Sequence, residues 1–194
     1  MMSESWYTVV DAGQPLTQGD LIRDCPIRGW RDDSVDFDRG LESLDAASEA
    51  KLQDVVIMTQ ACDLAHDKVP NVVLCPHWSL STYHEDWDAE MRAWGENPTA
   101  KAWRRHCEDI QEGHVWNLAI LNECAEGSIR IEHRIVDFRE VYTVPRSFVE
   151  SFLQQRGGQR LQLLPPYREH LSQAFARFFM RVGLPTPVAA VWQG

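Results

Sequence analysis

No stretch of this 194-residue chain approaches the roughly 18 consecutive apolar residues that a membrane-crossing helix needs, so a soluble protein is expected. The N-terminal MMSESWYTVV lacks the charged and apolar blocks of a secretory leader, and the five cysteines, an odd number, include no CxxC pair. Both absences point to a cytoplasmic protein in a reducing compartment rather than a disulfide scaffold. Basic residues are scarce, with 19 Lys and Arg against 29 Asp and Glu and a net charge of -10. That balance opposes non-specific attraction to nucleic acid or to an anionic membrane, both of which recruit clustered cations. A phosphate-cradling glycine loop, a nucleophile elbow and an HExxH run are all missing, which removes the usual warrants for nucleotide hydrolysis, serine esterase and metalloprotease chemistry. No cofactor and no metal are expected, and a protein partner is expected ahead of nucleic acid.

The charge is unevenly distributed. Residues 1–97 hold 19 acids and 7 bases, whereas residues 98–194 hold 10 and 12. The acids crowd around Asp32, Asp33, Asp36, Asp38, Glu42 and Asp45, which reads as a solvated loop face. With 44% hydrophobic residues, the length suits one core, so residues 1–194 are expected to form a single domain.

The clearest local pattern runs over residues 54–77, DVVIMTQACDLAHDKVPNVVLCPH. Residues 55–59 and 72–75 are β-branched, continuously apolar runs, expected to be neighbouring antiparallel strands buried on both faces. Residues 6–10 and 19–22 suggest an earlier strand pair that Pro26 stops, and residues 28–53 read as a long polar excursion with a short helix. After His77 the spacing turns helical: Trp87, Met91 and Trp94 share one face, and Asn97 and Pro98 are suited to start a second helix ending at Gly113. Residues 78–113 are thus expected as a helical insertion. Strand chemistry returns over 114–121 and 129–138, a short helix follows Pro145, and residues 161–164 suggest a last strand. A final helix over 167–182 carries the apolar stripe Leu171, Phe175, Phe178, Phe179 and Val182.

Chemistry can be sought in two places. Cys62 opens a polar loop at a strand end, and a useful thiolate there needs a nearby cation or base. His66 and His77 are the nearest bases in sequence, Asp63 is suited to cap the turn, Thr59 brings a hydroxyl, and Gln60 has the donor for a developing oxyanion. Grouping Cys62 and His66 with Cys75 and His77 as a zinc site is opposed by the strand rise of about 3.3 Å per residue, which separates the two pairs. The second place is the last helix, where spacings of 7 and 4 residues put His170, Arg177 and Arg181 on one face as a candidate contact for a partner.

The order QGDLI, VVIMTQACDL and VVLCPH resembles the opening half of MazF/PemK-type toxins over roughly residues 18–80. That resemblance implies an SH3-like barrel and RNA cleavage assisted by an arginine before the second strand and a Ser/Thr at its end. Thr59 matches the hydroxyl position, and Gln53-Asp54 stands where the arginine would be. The TQACDL loop together with IVDFR and the segment LLPPYREHLSQAFARFFMRVGLP is similar to an uncharacterised bacterial family, which implies a bacterial source and no particular activity.

The expectation is an α+β fold built on a small SH3-like, mainly antiparallel barrel with an inserted helical hairpin and a packed C-terminal helix. In function, we expect a cytosolic protein-interaction module, a non-catalytic subunit of a toxin-related or phage-defence assembly. The alternative is a MazF-like RNA endonuclease or a Cys62-dependent hydrolase.

Overall fold

The computed structural model describes residues 5–31, 38, 40–126 and 129–180. In chain order the elements are β1 (Tyr7–Asp11), β2 (Asp20–Trp30), α1 (Leu41–Ala46), β3 (Ser48–Ile57), α2 (Ala61–Ala65) and β4 (Asn71–Ser79), then α3 (Leu80–Ala93), α4 (Ala100–Gln111) and β5 (Leu118–Leu121). There follow β6 (Cys124–Glu126), β7 (Ile129–Ile131), β8 (Arg134–Asp137), β9 (Tyr142–Pro145), α5 (Arg146–Arg156), β10 (Gln159–Leu163) and α6 (Tyr167–Phe179). The main sheet runs β1-β10-β2-β3-β4-β8-β5, with β9 also paired to β4, while β6 and β7 form a separate ribbon. Every pairing is antiparallel. The fold is therefore α+β on a mainly antiparallel sheet, and among the described residues no strand pairing joins its β1 and β5 edges into a closed barrel.

The two apolar runs lie side by side as expected, Val55 opposite Pro76 and Ile57 opposite Leu74. Because side chains alternate across a strand, each run feeds two cores. Leu21, Val56 and Cys75 pack on one face under Leu171, Phe175 and Phe178 of α6. Ile22, Val55, Ile57 and Leu74 pack on the other, under Leu64 of α2 and Val149 and Leu153 of α5. Burying a side chain of this size stabilises by about 1.5–3 kcal/mol, and the central strands gain it on both faces. Phe138, fully buried, meets Phe175 edge to face at 5.6 Å between ring centroids.

Several local expectations need correction. Residues 6–10 and 19–22 do not pair with each other; β1 pairs with β10, and β10 lies between β1 and β2. Pro26 does not end its strand, because beyond Ile22 no strand pairs with the outer edge of β2 among the described residues, and an edge tolerates a missing N–H. The polar stretch after Arg28 is not all excursion, since Trp30 pairs with Ser48 at the far end of a long hairpin. Its largely solvated faces explain why no apolar alternation marked it.

Between β4 and β5 lie the two expected helices. Ser79 caps α3 by accepting from the Thr82 N–H at 3.0 Å, and Thr99 caps α4 by accepting from Ala102 at 3.2 Å. Thr99 thus takes the place expected for Asn97, because its hydroxyl lies one residue before the first helical turn. Of the aromatic stripe on α3 only Trp87 is buried, whereas Trp94 is 75% exposed. Trp87 packs among Trp103, His84 and His106, and the Tyr83 hydroxyl lies 2.9 Å from His106 Nε2. Ile110, Leu118 and Ile135 seat this hairpin on the β5-β8 side of the sheet.

Candidate functional site

The Cys62 loop is anchored from α5, and its cysteine is open to solvent. Gln60 precedes the single turn of α2, and Arg146 of α5 anchors the loop by donating to the Leu64 carbonyl at 2.9 Å and pairing with Asp67. Cys62 is exposed, with its sulfur 3.6 Å from Gln60 Oε1 and 3.7 Å from Asp63 Oδ1. Gln60 and Asp63 are therefore beside the sulfur. Among the described residues neither Thr59 nor His66 hydrogen-bonds to it: the Thr59 hydroxyl accepts from the Val73 N–H at 2.7 Å, and His66 is exposed at the end of α2. Asp63 also faces Lys68 at 3.6 Å. The other strand cysteine in this region behaves differently, since burial pushes the Cys75 thiol up to about 12. Among the described residues no three of His, Cys, Asp and Glu converge as metal ligands.

The face of the last helix leads to a groove. His170 and Arg177 line one wall of a groove of about 380 Å³, with Leu171 and Ala174 between them; Arg181 lies outside the described residues. The opposite wall is the end of α4 with Gly113, and the floor is all four residues of β5. Leu118 and Ile120 face the core under α4, whereas Ala119 and Leu121 face the core under α6. A groove that touches all four must therefore run along the strand's edge. β5 pairs only with β8 among the described residues.

Hydrogen bonding identifies which groups that edge presents. Phe138 donates to the Asn117 carbonyl at 2.8 Å, so residues 117, 119 and 121 exchange bonds with the β8 strand, and Leu118 and Ile120 turn their backbone groups outward. The Leu118 N–H is used by the Val115 carbonyl at 3.3 Å, which leaves the Leu118 carbonyl and both Ile120 groups facing the groove. Gly113 ends α4 with φ +76, and a Cβ there would lie 3.1 Å from an Arg177 guanidinium nitrogen, so the bare glycine lets that side chain lie across the groove's end. Neither His170 nor Arg177 has an ion-pair partner among the described residues. Glu112, on the far wall, lies 3.5 Å from His114.

A second concavity, of about 100 Å³, was not anticipated from sequence. Its charged lining is Arg23, Arg134, Arg156 and Arg160 with the single carboxylate of Asp54, and His77 contributes to its wall. Arg134 donates from Nε to His77 Nδ1 at 2.9 Å and from Nη2 to Asp54 Oδ2 at 2.5 Å. Accepting at Nδ1 requires the neutral ring with its proton on Nε2. Burial, followed by the charges of Arg134 and Arg23, holds His77 well below its ordinary pKa. The Nε2 atom is buried outside hydrogen-bonding geometry, with the Val55 carbonyl its one upward influence. Arg160 is committed elsewhere: it pairs with Asp20 at 2.9 Å and donates to the carbonyls of Asp11, Ala12, Gln14 and Pro15.

No signal in the sequence joins these arginines, because they come from β2, β8, α5 and β10. No family model matches this chain, and no curated protein or solved structure is significantly similar to it.

Proposed function

We propose that this protein is a non-catalytic interaction module that binds an extended acidic segment of a partner protein along the outer edge of β5. The observation that carries this reading is the conjunction of outward backbone groups at Leu118 and Ile120 with the Arg177 guanidinium and the His170 imidazole, neither of which is in an ion pair among the described residues. A strand laid beside β5 would gain main-chain hydrogen bonds, and its alternate side chains would meet the apolar floor. A carboxylate on the segment would meet Arg177, which has the geometry to bind it with two parallel N–H donors. On this reading the bent sheet is an SH3-like half-barrel, the helical hairpin is its insertion, and the assembly it serves is toxin-related or phage-defence in kind.

The exposed Cys62 loop is the weaker basis for an enzyme. Its sulfur has acceptors beside it but, among the described residues, no hydrogen bond to a histidine, and the Thr59 hydroxyl is occupied by a strand N–H.

The test is a peptide array of extended, alternately apolar sequences with and without an acidic end. Acidic members should bind, and Arg177→Glu should weaken them about tenfold, equivalent to about 1.4 kcal/mol. Ile120→Pro should also abolish binding while far-ultraviolet circular dichroism stays unchanged, since it removes an outward N–H and leaves the β8 ladder intact. Binding of acidic and neutral peptides alike, or an Arg177→Glu protein that binds as well as the parent, would refute the reading.

A further inference from the structure

We propose that the arginine-lined concavity is a binding site for a small phosphate-type oxyanion, either free phosphate or the phosphoryl end of a small metabolite. This goes beyond the peptide groove, with which it shares no lining residue.

The argument starts from what each guanidinium already holds. Arg160 is satisfied by Asp20 and loop carbonyls and has nothing left to offer. Arg134 is fixed by Asp54 and His77, and its Nη1 is uncommitted. Arg23 has no carboxylate partner among the described residues, and its Nη2 donates to the neutral Arg130 carbonyl at 2.9 Å. Arg156 donates to the Arg23 carbonyl, pairs with Asp24 at 3.4 Å, and lies 5.8 Å from the centre of the Phe152 ring. Arg23 is thus positioned by a neutral acceptor, which orients a guanidinium without cancelling its charge. Against the carboxylates of Asp20, Asp24 and Asp54 the four arginines leave an excess of one positive charge, in a chain of net charge -10.

The backbone is shaped to produce this arrangement. Ile22 pairs with Val55 and Cys25 with Gln53, so Arg23 and Asp24 together oppose the single residue Asp54. This bulge holds Asp24 at φ +46, an uncommon conformation for a residue with a side chain, and Asp54 Oδ1 clamps it by accepting the Asp24 N–H at 2.9 Å. The other oxygen of Asp54 holds Arg134. One carboxylate therefore fixes both the bulge that aims Arg23 and the side chain of Arg134. Strained backbone of this kind persists where the surroundings over-determine it, and it clusters at ligand sites.

The concavity, of about 100 Å³, has room for a tetrahedral oxyanion among its guanidinium groups. The walls of Leu21, Ile131, Leu153 and Leu161 keep the surroundings apolar, which strengthens charge-assisted hydrogen bonds to such an anion.

Isothermal titration of the full chain with inorganic phosphate, at constant ionic strength set by chloride, tests the assignment. Saturable binding in the millimolar range or tighter is expected, weakened at least tenfold by Arg23→Gln and by Arg156→Gln. Arg105→Gln, on the exposed face of α4, should leave it unchanged. A sugar monophosphate run in parallel separates the sources: tighter binding than phosphate identifies a metabolite end group, and weaker binding identifies the free ion. Absence of saturable binding by both probes, or equal affinity in the parent and the two arginine variants, would overturn the proposal. So would binding of a short single-stranded RNA when neither small probe binds.

Discussion

Replacing Arg160 by alanine should destabilise the fold by about 3 kcal/mol, at the lower end of the about 3–5 kcal/mol expected when one partner of a buried ion pair is removed. The pair is nearly sealed, with side-chain exposures of 3% for Arg160 and 0% for Asp20. The magnitude comes mostly from the stranded carboxylate. Asp20 would keep its hydrogen bonds from Gln162 and from the Thr17 N–H, which moderates the cost. The carbonyls of Asp11, at the end of β1, and of Gln14 and Pro15 in the loop after it belong to exposed residues and would return to water, adding little. Burial pushes the Asp20 carboxyl up, and the Arg160 charge is the strongest influence pulling it down. The deficit of the variant should therefore shrink as pH falls into the carboxylate range. Urea unfolding followed by fluorescence gives the measurement, with a lower midpoint at unchanged slope. Adding Asp20→Asn to the alanine variant should recover about 1 kcal/mol, because a neutral amide is cheaper to bury than an unpaired charge. An alanine variant within about 1 kcal/mol of the parent, or a double variant less stable than the single one, would show that the pair is not the buried staple described above.

Two further predictions concern titration and thiol access, beside those for peptide and phosphate binding. His77 is kept neutral by burial and by Arg134 and Arg23, so below its ordinary value of 6.5 the unfolded chain takes up a proton that the folded chain does not. The stability this contributes is complete above 6.5 and falls with pH, by up to about 1.4 kcal/mol per unit until the folded value is passed. His77→Gln should flatten that slope in urea titrations, leaving the smaller part due to His106, which burial also lowers; parallel curves for parent and variant would contradict the assignment. Among the five cysteines, Cys62 should react first with a chromogenic disulfide in the native protein and Cys107 next. Cys25 and Cys75, whose thiols burial pushes up to about 11 and about 12, should react only on unfolding, as should buried Cys124. Rapid native labelling of any of these three would show a core more open than the one described.

The two central strands were legible because their signal is local. An unbroken β-branched run flanked by turn residues has few other uses, and burial on both faces follows from having no polar face to expose. The helical hairpin was legible for the same reason, through aromatic spacing and the glycine at its end. The far end of the β2-β3 hairpin, residues 28–30 against 48–51, was not, because there the strands are largely solvated and carry polar residues with no alternating pattern. Pro26 misled because its meaning depends on whether a neighbour lies on its outer side, which only the sheet order decides.

Site residues divide along the same line. His170 and Arg177 are seven positions apart on one helix, so helical geometry alone placed them on a common face, but the edge of β5 that turns that face into a groove comes from elsewhere in the chain. Arg23 and Arg134 approach one another only because β2, β3, β4 and β8 lie consecutively in the sheet, and Arg156 reaches a carbonyl 133 positions away. The order of residues by itself determined the elements that short-range sterics and hydrophobic alternation dictate: two doubly buried strands, a capped helical pair and an amphipathic last helix. Tertiary structure alone decided which strand edge stays open and which distant charges meet, because those depend on pairings whose loop-closure cost and burial are settled across the whole chain.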